Sequence, residues 1–221
     1  MVVNPHAGYY VDMVTTSPIP AGFAISAPPE DLCLAFANTR YWRGTEAPTE
    51  ELHGFEDLIA WCGSQGGISP ELLGLARDRL SRNPRRAEGW FAAAIALREM
   101  LVRIFRAVAE GGKPEDEDLT IFDAALAATP PRSRITRKDA RYVWQIARPE
   151  PGIGLLLAPV LWSAADLLTG KRLDRVRRCG NDRCLWLFLD DSKSGNRRWC
   201  SMSQCGNRAK AHRHRAKIKG V

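Results

Sequence analysis

No stretch of this chain is long and apolar enough to suggest a membrane span. The greasiest run, Gly152 to Ala165, is cut by Pro159 and falls short of the roughly 20 residues a span needs. Residues 1 to 28 contain no continuous apolar segment of the kind a secretory leader requires, so the expected compartment is the cytoplasm. Histidine is scarce, four in 221 residues, and none falls between Cys184 and Cys200. A nucleophile elbow, a phosphate-binding glycine loop and a metal-spaced His pair are all missing. These absences argue against an enzyme. Cysteine is sparse as well: of six, only Cys33 and Cys62 lie outside the last fifth of the chain, on apolar faces that mark them as core residues.

The remaining four are informative. Cys179 and Cys184 enclose four residues, fifteen follow, and Cys200 and Cys205 enclose four more. Two such pairs suit a tetrahedral ion, because each pair loops back to offer two thiolates and the spacer returns the chain. Structural Zn²⁺ is the expected occupant of Cys179, Cys184, Cys200 and Cys205; an iron–sulfur centre and two disulfides are the alternatives. A chain of this length can bury a core without covalent staples, and a reducing compartment leaves the thiols free for metal.

Acidic residues thin out in the same region. From Lys171 to Val221 there are 15 Lys and Arg against 4 Asp, a balance of +11, whereas residues 1 to 170 carry a balance of −4. A basic module attached to a mildly acidic one is the electrostatic footprint of a nucleic-acid reader joined to a non-binding partner domain.

Three segments are expected: a poorly ordered lead-in over 1–28 with one short strand, an α+β and mostly helical domain over 29–170, and a zinc module over 171–221. Leu32 to Phe36 reads as a buried strand. Helical spacing is predicted over Phe55 to Cys62, from Ser69-Pro70 to Leu80, over Trp90 to Val108, and from Glu115 to Leu126. Tyr142, Trp144 and Ile146 alternate as a strand, paired with Arg134 to Arg137 in a small antiparallel sheet. A fifth helix covers Ile153 to Leu168, and Gly170 closes the domain. Trp42, Trp61, Trp90, Trp144 and Trp162 are assigned to the core.

In the last segment, Gly180 and Asn181 supply the positive backbone dihedrals a metal knuckle demands. Leu185 to Leu189 and Arg197 to Cys200 read as the two strands of a hairpin, turning at Ser194 to Asn196. Ser201 and Gln204 have capping-box spacing and open a basic helix over Met202 to Lys217. Knuckle, hairpin and helix together make a treble-clef-like arrangement. The candidate nucleic-acid contacts are Arg197, Arg198, Asn207, Arg208, Lys210, Arg213, Arg215 and Lys217. Arg208 and Asn207 have the chemistry to read base edges, and Asn207 could equally brace the knuckle. His212 and His214 are read as facing phosphate or solvent.

Trp199-Cys200-Ser201-Met202 followed by Cys205-Gly206-Asn207-Arg208-Ala209-Lys210 resembles the CGNR zinc finger, as do Phe188, Asp190 and Ser192. Upstream, the segments at Phe36, Asn38 and Thr39, at Leu58 and Trp61, at Leu97 and Arg98, and from Ser163 to Leu168 resemble the accompanying ABATE domain. The resemblance implies a bacterial stress-induced transcription regulator whose finger binds DNA. It also makes Asn38, Thr39 and Arg98 the candidate ligand corner.

The expected function is therefore zinc-dependent DNA binding under the control of an N-terminal sensor. Its expected partners are double-stranded DNA, a small-molecule effector and a second copy of the chain, and not a membrane. RNA or ribosome association is the alternative reading, followed by a metal-stapled protein-interaction module.

Overall fold

A computed structural model describes residues 22–65, 67–146 and 152–211. Most of the expected lead-in, and His212, Arg213, His214, Arg215 and Lys217 of the basic helix, lie outside the described residues. The short strand expected near the start is β1 (Phe23–Ile25). Leu32 to Phe36, expected as a strand, is instead the helix α1 (Leu32–Ala37). All of its residues except Ala35 are buried, so the run carries no period that separates a buried helix from a buried strand. Its entry is fixed by a remote side chain. The Cys33 N–H donates to Ser163 Oγ at 3.0 Å, and the Ser163 hydroxyl donates to the Glu30 carbonyl at 3.0 Å.

A two-rung ladder of β2 (Arg40–Tyr41) and β3 (Thr49–Glu50) follows, then α2 (Phe55–Ser64) and α3 (Pro70–Ser81) where the spacing predicts them. Ser69 caps α3 by accepting the Leu72 N–H on its hydroxyl at 3.4 Å, and Pro70 takes the first helical position, where no N–H is needed. The long helix α4 (Pro84–Ala109) starts before Trp90 because Asn83 caps it, its Oδ1 accepting the Arg86 N–H at 3.1 Å. Ala94, Arg98, Leu101, Ile104 and Phe105 form its buried stripe. Helix α5 (Asp116–Ala127) carries three carboxylates in its first turn, where the helix dipole favours them.

Strands β4 (Ile135–Lys138) and β5 (Arg141–Ile146) pair antiparallel as expected, and β1 adds to the far side of β5 in the order β1-β5-β4. The single helix expected next is two, α6 (Ile153–Leu156) and α7 (Ala158–Thr169). Pro159 donates no N–H and its ring crowds the carbonyl four residues back, so the chain breaks at Leu157.

Beyond Gly170 the hairpin differs from expectation. Strand β7 (Leu187–Leu189) pairs not with Arg197 to Cys200 but with β6 (Val176–Arg178), which precedes the first cysteine. The Asp190 carboxylate ends β7 and turns the chain by accepting the N–H groups of Ser192 and Arg197, each at 2.9 Å.

One hydrophobic core runs from Ile25 through α1, α4 and α7 and includes Val176, Leu187 and Leu189 from the β6–β7 hairpin. A second, smaller cluster holds Cys179, Cys184, Phe188 and Cys205 with Trp42, Trp186, Trp199 and Cys200 around them. Trp61, Trp90, Trp144 and Trp162 pack in or against the first core, as assigned, whereas Trp42 joins the second. Cys33 and Cys62 are buried in the first core, and burial pushes both thiols up to about 12. Among the described residues no helix is long and apolar enough to cross a membrane.

Candidate metal centre and its cationic surface

Cys179 follows β6, and its N–H donates to the Trp186 carbonyl at 2.8 Å. The knuckle turns on Asn181: its carbonyl accepts the N–H of Cys184 at 2.8 Å, and its Oδ1 accepts that of Arg183 at 3.1 Å. The positive dihedral expected of Gly180 or Asn181 falls instead on Leu185, with φ of 58°. Gly180 donates to the Arg198 carbonyl at 2.8 Å, which ties the first knuckle to the second. Ser201 is the N-cap that its spacing predicts, its hydroxyl accepting the Gln204 N–H at 3.3 Å. It opens a wide π-type turn, Met202–Gly206, that carries Cys205, and helical geometry then continues to residue 211.

These turns bring the four cysteine sulfurs within 4.8 Å of one another. Cys184 and Cys200 Sγ are 3.7 Å apart, and Cys200 and Cys205 Sγ 3.8 Å. Four thiolates at about 2.3 Å from one tetrahedral zinc stand about 3.8 Å from each other, so the donor set fits a single such ion. It is too tight for a cluster in which each thiolate takes a separate iron, and all six cysteines are free. The Asn181 side-chain amide donates to Cys205 Sγ at 3.6 Å, an outer contact that orients the thiolate.

The thiols also report crowding. Cys179 is held far below the usual thiol range because the Cys184 and Cys200 thiols donate to it. Donating to Cys179 pushes Cys184 up to about 12, and Cys200 is raised by the same two neighbours. Four thiolates this close repel one another, and a cation among them would relieve that repulsion.

The centre is clamped to the chain that follows α1. Asn38, the residue after α1, donates its amide to the Leu187 carbonyl at 2.7 Å and accepts the Leu187 N–H at 3.0 Å. Beside it the buried Arg98 makes a two-pronged pair with Glu50, at 2.6 and 2.7 Å, and donates to Thr39 Oγ1 at 3.1 Å and to Glu99 at 3.0 Å. Burial would raise the Glu50 carboxyl, but Arg98 and the Leu52 amide hold it below its ordinary value. Asn38, Thr39 and Arg98 are thus brought together as expected neighbours, with their polar groups taken up inside the chain. Further out, Gly44 lies flat on the knuckle and donates to the Arg183 carbonyl at 3.3 Å. A Cβ there would sit 1.7 Å from the Asp182 carbonyl oxygen.

Two open grooves flank this contact. One of about 740 Å³ lies between the loop from Trp42 to Ala47 and the side chains of Arg183 and Arg208. The other, about 940 Å³, is lined by Trp42, Arg198, Trp199, Asn207 and Arg208 among others.

The profile of the ABATE family, described as "Putative stress-induced transcription regulator", matches residues 30–171, and that of the CGNR zinc finger matches residues 175–217. The chain belongs to the ABATE family. Neither family is one of enzymes, and no curated protein matches the chain.

On the CGNR finger, the candidate contacts divide. Arg197 turns inward: it donates to the Trp199 carbonyl at 2.8 Å and to the Cys200 carbonyl, and it lies over the Phe188 ring at 4.9 Å. Arg198 is exposed and stacks over Trp199 at 5.5 Å. Asn207 donates to the Ser203 carbonyl at 3.3 Å, the local brace that its chemistry also allowed. Arg208 and Lys210 are exposed. Arg183 joins them at the groove, although nothing in the sequence set it apart from the rest of the knuckle. Trp42 is the other addition. Its backbone has φ of 56°, a conformation no sequence pattern announces for a tryptophan.

Proposed function

We propose that this ABATE protein is a zinc-dependent, DNA-binding transcription regulator of the bacterial cytoplasm, with Cys179, Cys184, Cys200 and Cys205 as structural ligands. The observation that carries this reading is the juxtaposition of a tetrahedral thiol set with exposed cations that have no carboxylate partner. Arg172 and Arg178 are paired with acidic side chains, whereas Arg183, Arg198, Arg208 and Lys210 have no such pairing among the described residues. Unpaired guanidinium groups on a rigid surface suit phosphate and base edges.

A closed set of four thiolates leaves no position for water or substrate, so the ion's contribution is to cross-link two turns and balance charge. The chain's own residues do the rest. Asn181 and Arg197 fix the two knuckles, and Arg183, Arg198, Arg208 and Lys210 meet the polyanion in a treble-clef-like arrangement. Arg213, Arg215 and Lys217, outside the described residues, are further phosphate contacts in this reading. The ABATE domain senses an effector and passes its state to the finger through the Asn38–Leu187 clamp, at the corner that also holds Thr39 and Arg98. A second copy of the chain would double the contact surface.

The test combines metal analysis with binding to duplex DNA over a salt series. One zinc per chain is expected, with log affinity falling against log salt by about 0.9 per phosphate contacted, hence a slope of about −3 to −4 for four contacts. A slope near zero, or no metal in reduced protein, rejects the reading. Preferential competition by structured RNA over duplex DNA would favour the RNA alternative.

A further inference from the structure

The stacked pair of Trp42 and Arg208 is the feature that phosphate binding does not explain. The Arg208 guanidinium lies 4.7 Å above the centre of the Trp42 ring. Among the arginine–ring contacts of the described residues, it is the one that joins the region matching the ABATE profile to the region matching the CGNR profile. Trp42 reaches the finger only because its backbone adopts φ of 56°, a left-handed conformation that a bulky side chain resists. The turn is locked around it: the Thr45 N–H and hydroxyl both donate to the Trp42 carbonyl, at 3.0 and 2.7 Å. Gly44, pressed on the Asp182 carbonyl, fixes the loop to the knuckle. A strained residue held by this many contacts marks a place where side-chain direction matters.

Trp42 and Arg208 line both grooves, so the pair forms the wall between them. Glu46 shares the smaller groove with Arg183 and Arg208, and Asp182 shares the larger. A carboxylate repels phosphate, but it can accept a hydrogen bond from a base amino group. A guanidinium held over an aromatic ring spends no N–H group on a carboxylate and can offer its fork to a planar, two-acceptor partner, and the O6 and N7 edge of guanine is such a partner.

We propose that Trp42 is a positioning residue for guanine recognition: the ABATE loop holds the Arg208 fork so that it reads a G·C pair in the DNA bound by the finger. This inference rests on the DNA-binding reading above. The N-terminal domain thereby sets sequence preference as well as sensing.

The test uses the full chain loaded with zinc. A selection from randomised duplexes identifies the preferred guanine, and affinities are then measured for matched duplexes carrying guanine or adenine at that position. Wild type is expected to favour guanine by about tenfold. Trp42→Ala should bring the ratio toward one, Trp42→Phe should keep most of it, and Arg208→Lys, which retains charge without the fork, should lose it. Because both duplexes are measured on the same preparation, a purely structural loss of active protein does not move the ratio. Should Trp42→Ala fail to fold, Arg208→Lys decides. A guanine preference that survives Trp42→Ala or Arg208→Lys overturns the proposal. Salt-dependent binding without any base preference overturns it while leaving the proposed function standing, and absence of DNA binding overturns both.

Discussion

Replacing Asn38 by alanine should cost the whole chain about 2–6 kcal/mol of folding free energy. The side chain of Asn38 stands in for a missing strand, offering a donor and an acceptor to the outer edge of Leu187 at 2.7 and 3.0 Å. Leu187 is 3 % exposed and Asn38 6 %, so water has little access to the groups left behind. Each orphaned buried backbone group costs about 1–3 kcal/mol, and two of them take a large share of the 5–15 kcal/mol a domain has. Urea denaturation measures the loss, and hydrogen exchange at the Leu187 amide locates it. Asn38→Asp is the sharper control. A carboxylate still accepts the Leu187 N–H but faces its carbonyl with a second acceptor, so burial and that carbonyl raise its folded pKa above the unfolded value. A raised folded pKa means that stability is fully present below the unfolded pKa and is lost as pH rises through the folded one. The deficit of Asn38→Asp against wild type should therefore grow from acid to neutral pH. A cost below about 1 kcal/mol for Asn38→Ala, or an unchanged exchange rate at Leu187, would refute the clamp.

Asp190 should dominate acid loss of order around the second cysteine pair. Burial favours its neutral form, but the N–H groups of Ser192 and Arg197 that donate to it outweigh this and hold the carboxyl at about 2. Its contribution is present above its ordinary value near 3.8 and is lost as pH falls through about 2, so Asp190→Asn should flatten an acid titration followed by near-UV circular dichroism in that window. Gly44→Ala drives a methyl group into the Asp182 carbonyl, and the loop must lift from the knuckle at a cost of about 1–3 kcal/mol. Altered tryptophan emission with retained far-UV circular dichroism is the expected signature, and unchanged emission would count against the docked loop.

Local signals were sufficient where a side chain completes a structure within its own segment. Ser69 caps α3 as its spacing predicts, and the stripe on α4 has helical spacing throughout, so these elements are legible from the sequence, although the Asn83 cap that starts α4 six residues before Trp90 is not. The paired cysteines are legible for the same reason, because each pair closes its own turn. What misled were segments defined by distant partners. Helix α1 is buried nearly all round and its entry is capped by Ser163, 130 positions away. Strand β7 takes its partner from the chain before the knuckle, because Asp190 diverts the chain that follows. Arg197 has the composition of a phosphate contact, yet the carbonyls of Trp199 and Cys200 claim it. Trp42 has the hydrophobicity of a core residue, and only its backbone geometry sends it to the finger.

Metal removal should divide the C-terminal region rather than unfold it as one piece, contrary to what a free-standing zinc module implies. Val176, Leu187 and Leu189 belong to the main core, and Asn38 fastens Leu187 there, so the β6–β7 hairpin keeps its contacts without an ion. The smaller cluster is different. Among the described residues, the apolar side chains packed around Cys179, Cys184, Phe188 and Cys205 are those of Trp42, Trp186, Trp199 and Cys200. Structural zinc contributes on the order of 10 kcal/mol to such sites, more than so few aromatic contacts can replace. Chelation, or Cys184→Ser, should therefore release Asn181 to Arg183 and Trp199 to Ala211 to proteases while the Leu187 and Val176 amides stay protected. The Trp42–Arg208 stack should go with the released segment, so the proposed DNA binding should fail although the ABATE domain remains folded. Loss of protection at Val176 and Leu187 together with the knuckles would show a single cooperative finger, and the division of the core into two clusters would then have no energetic meaning.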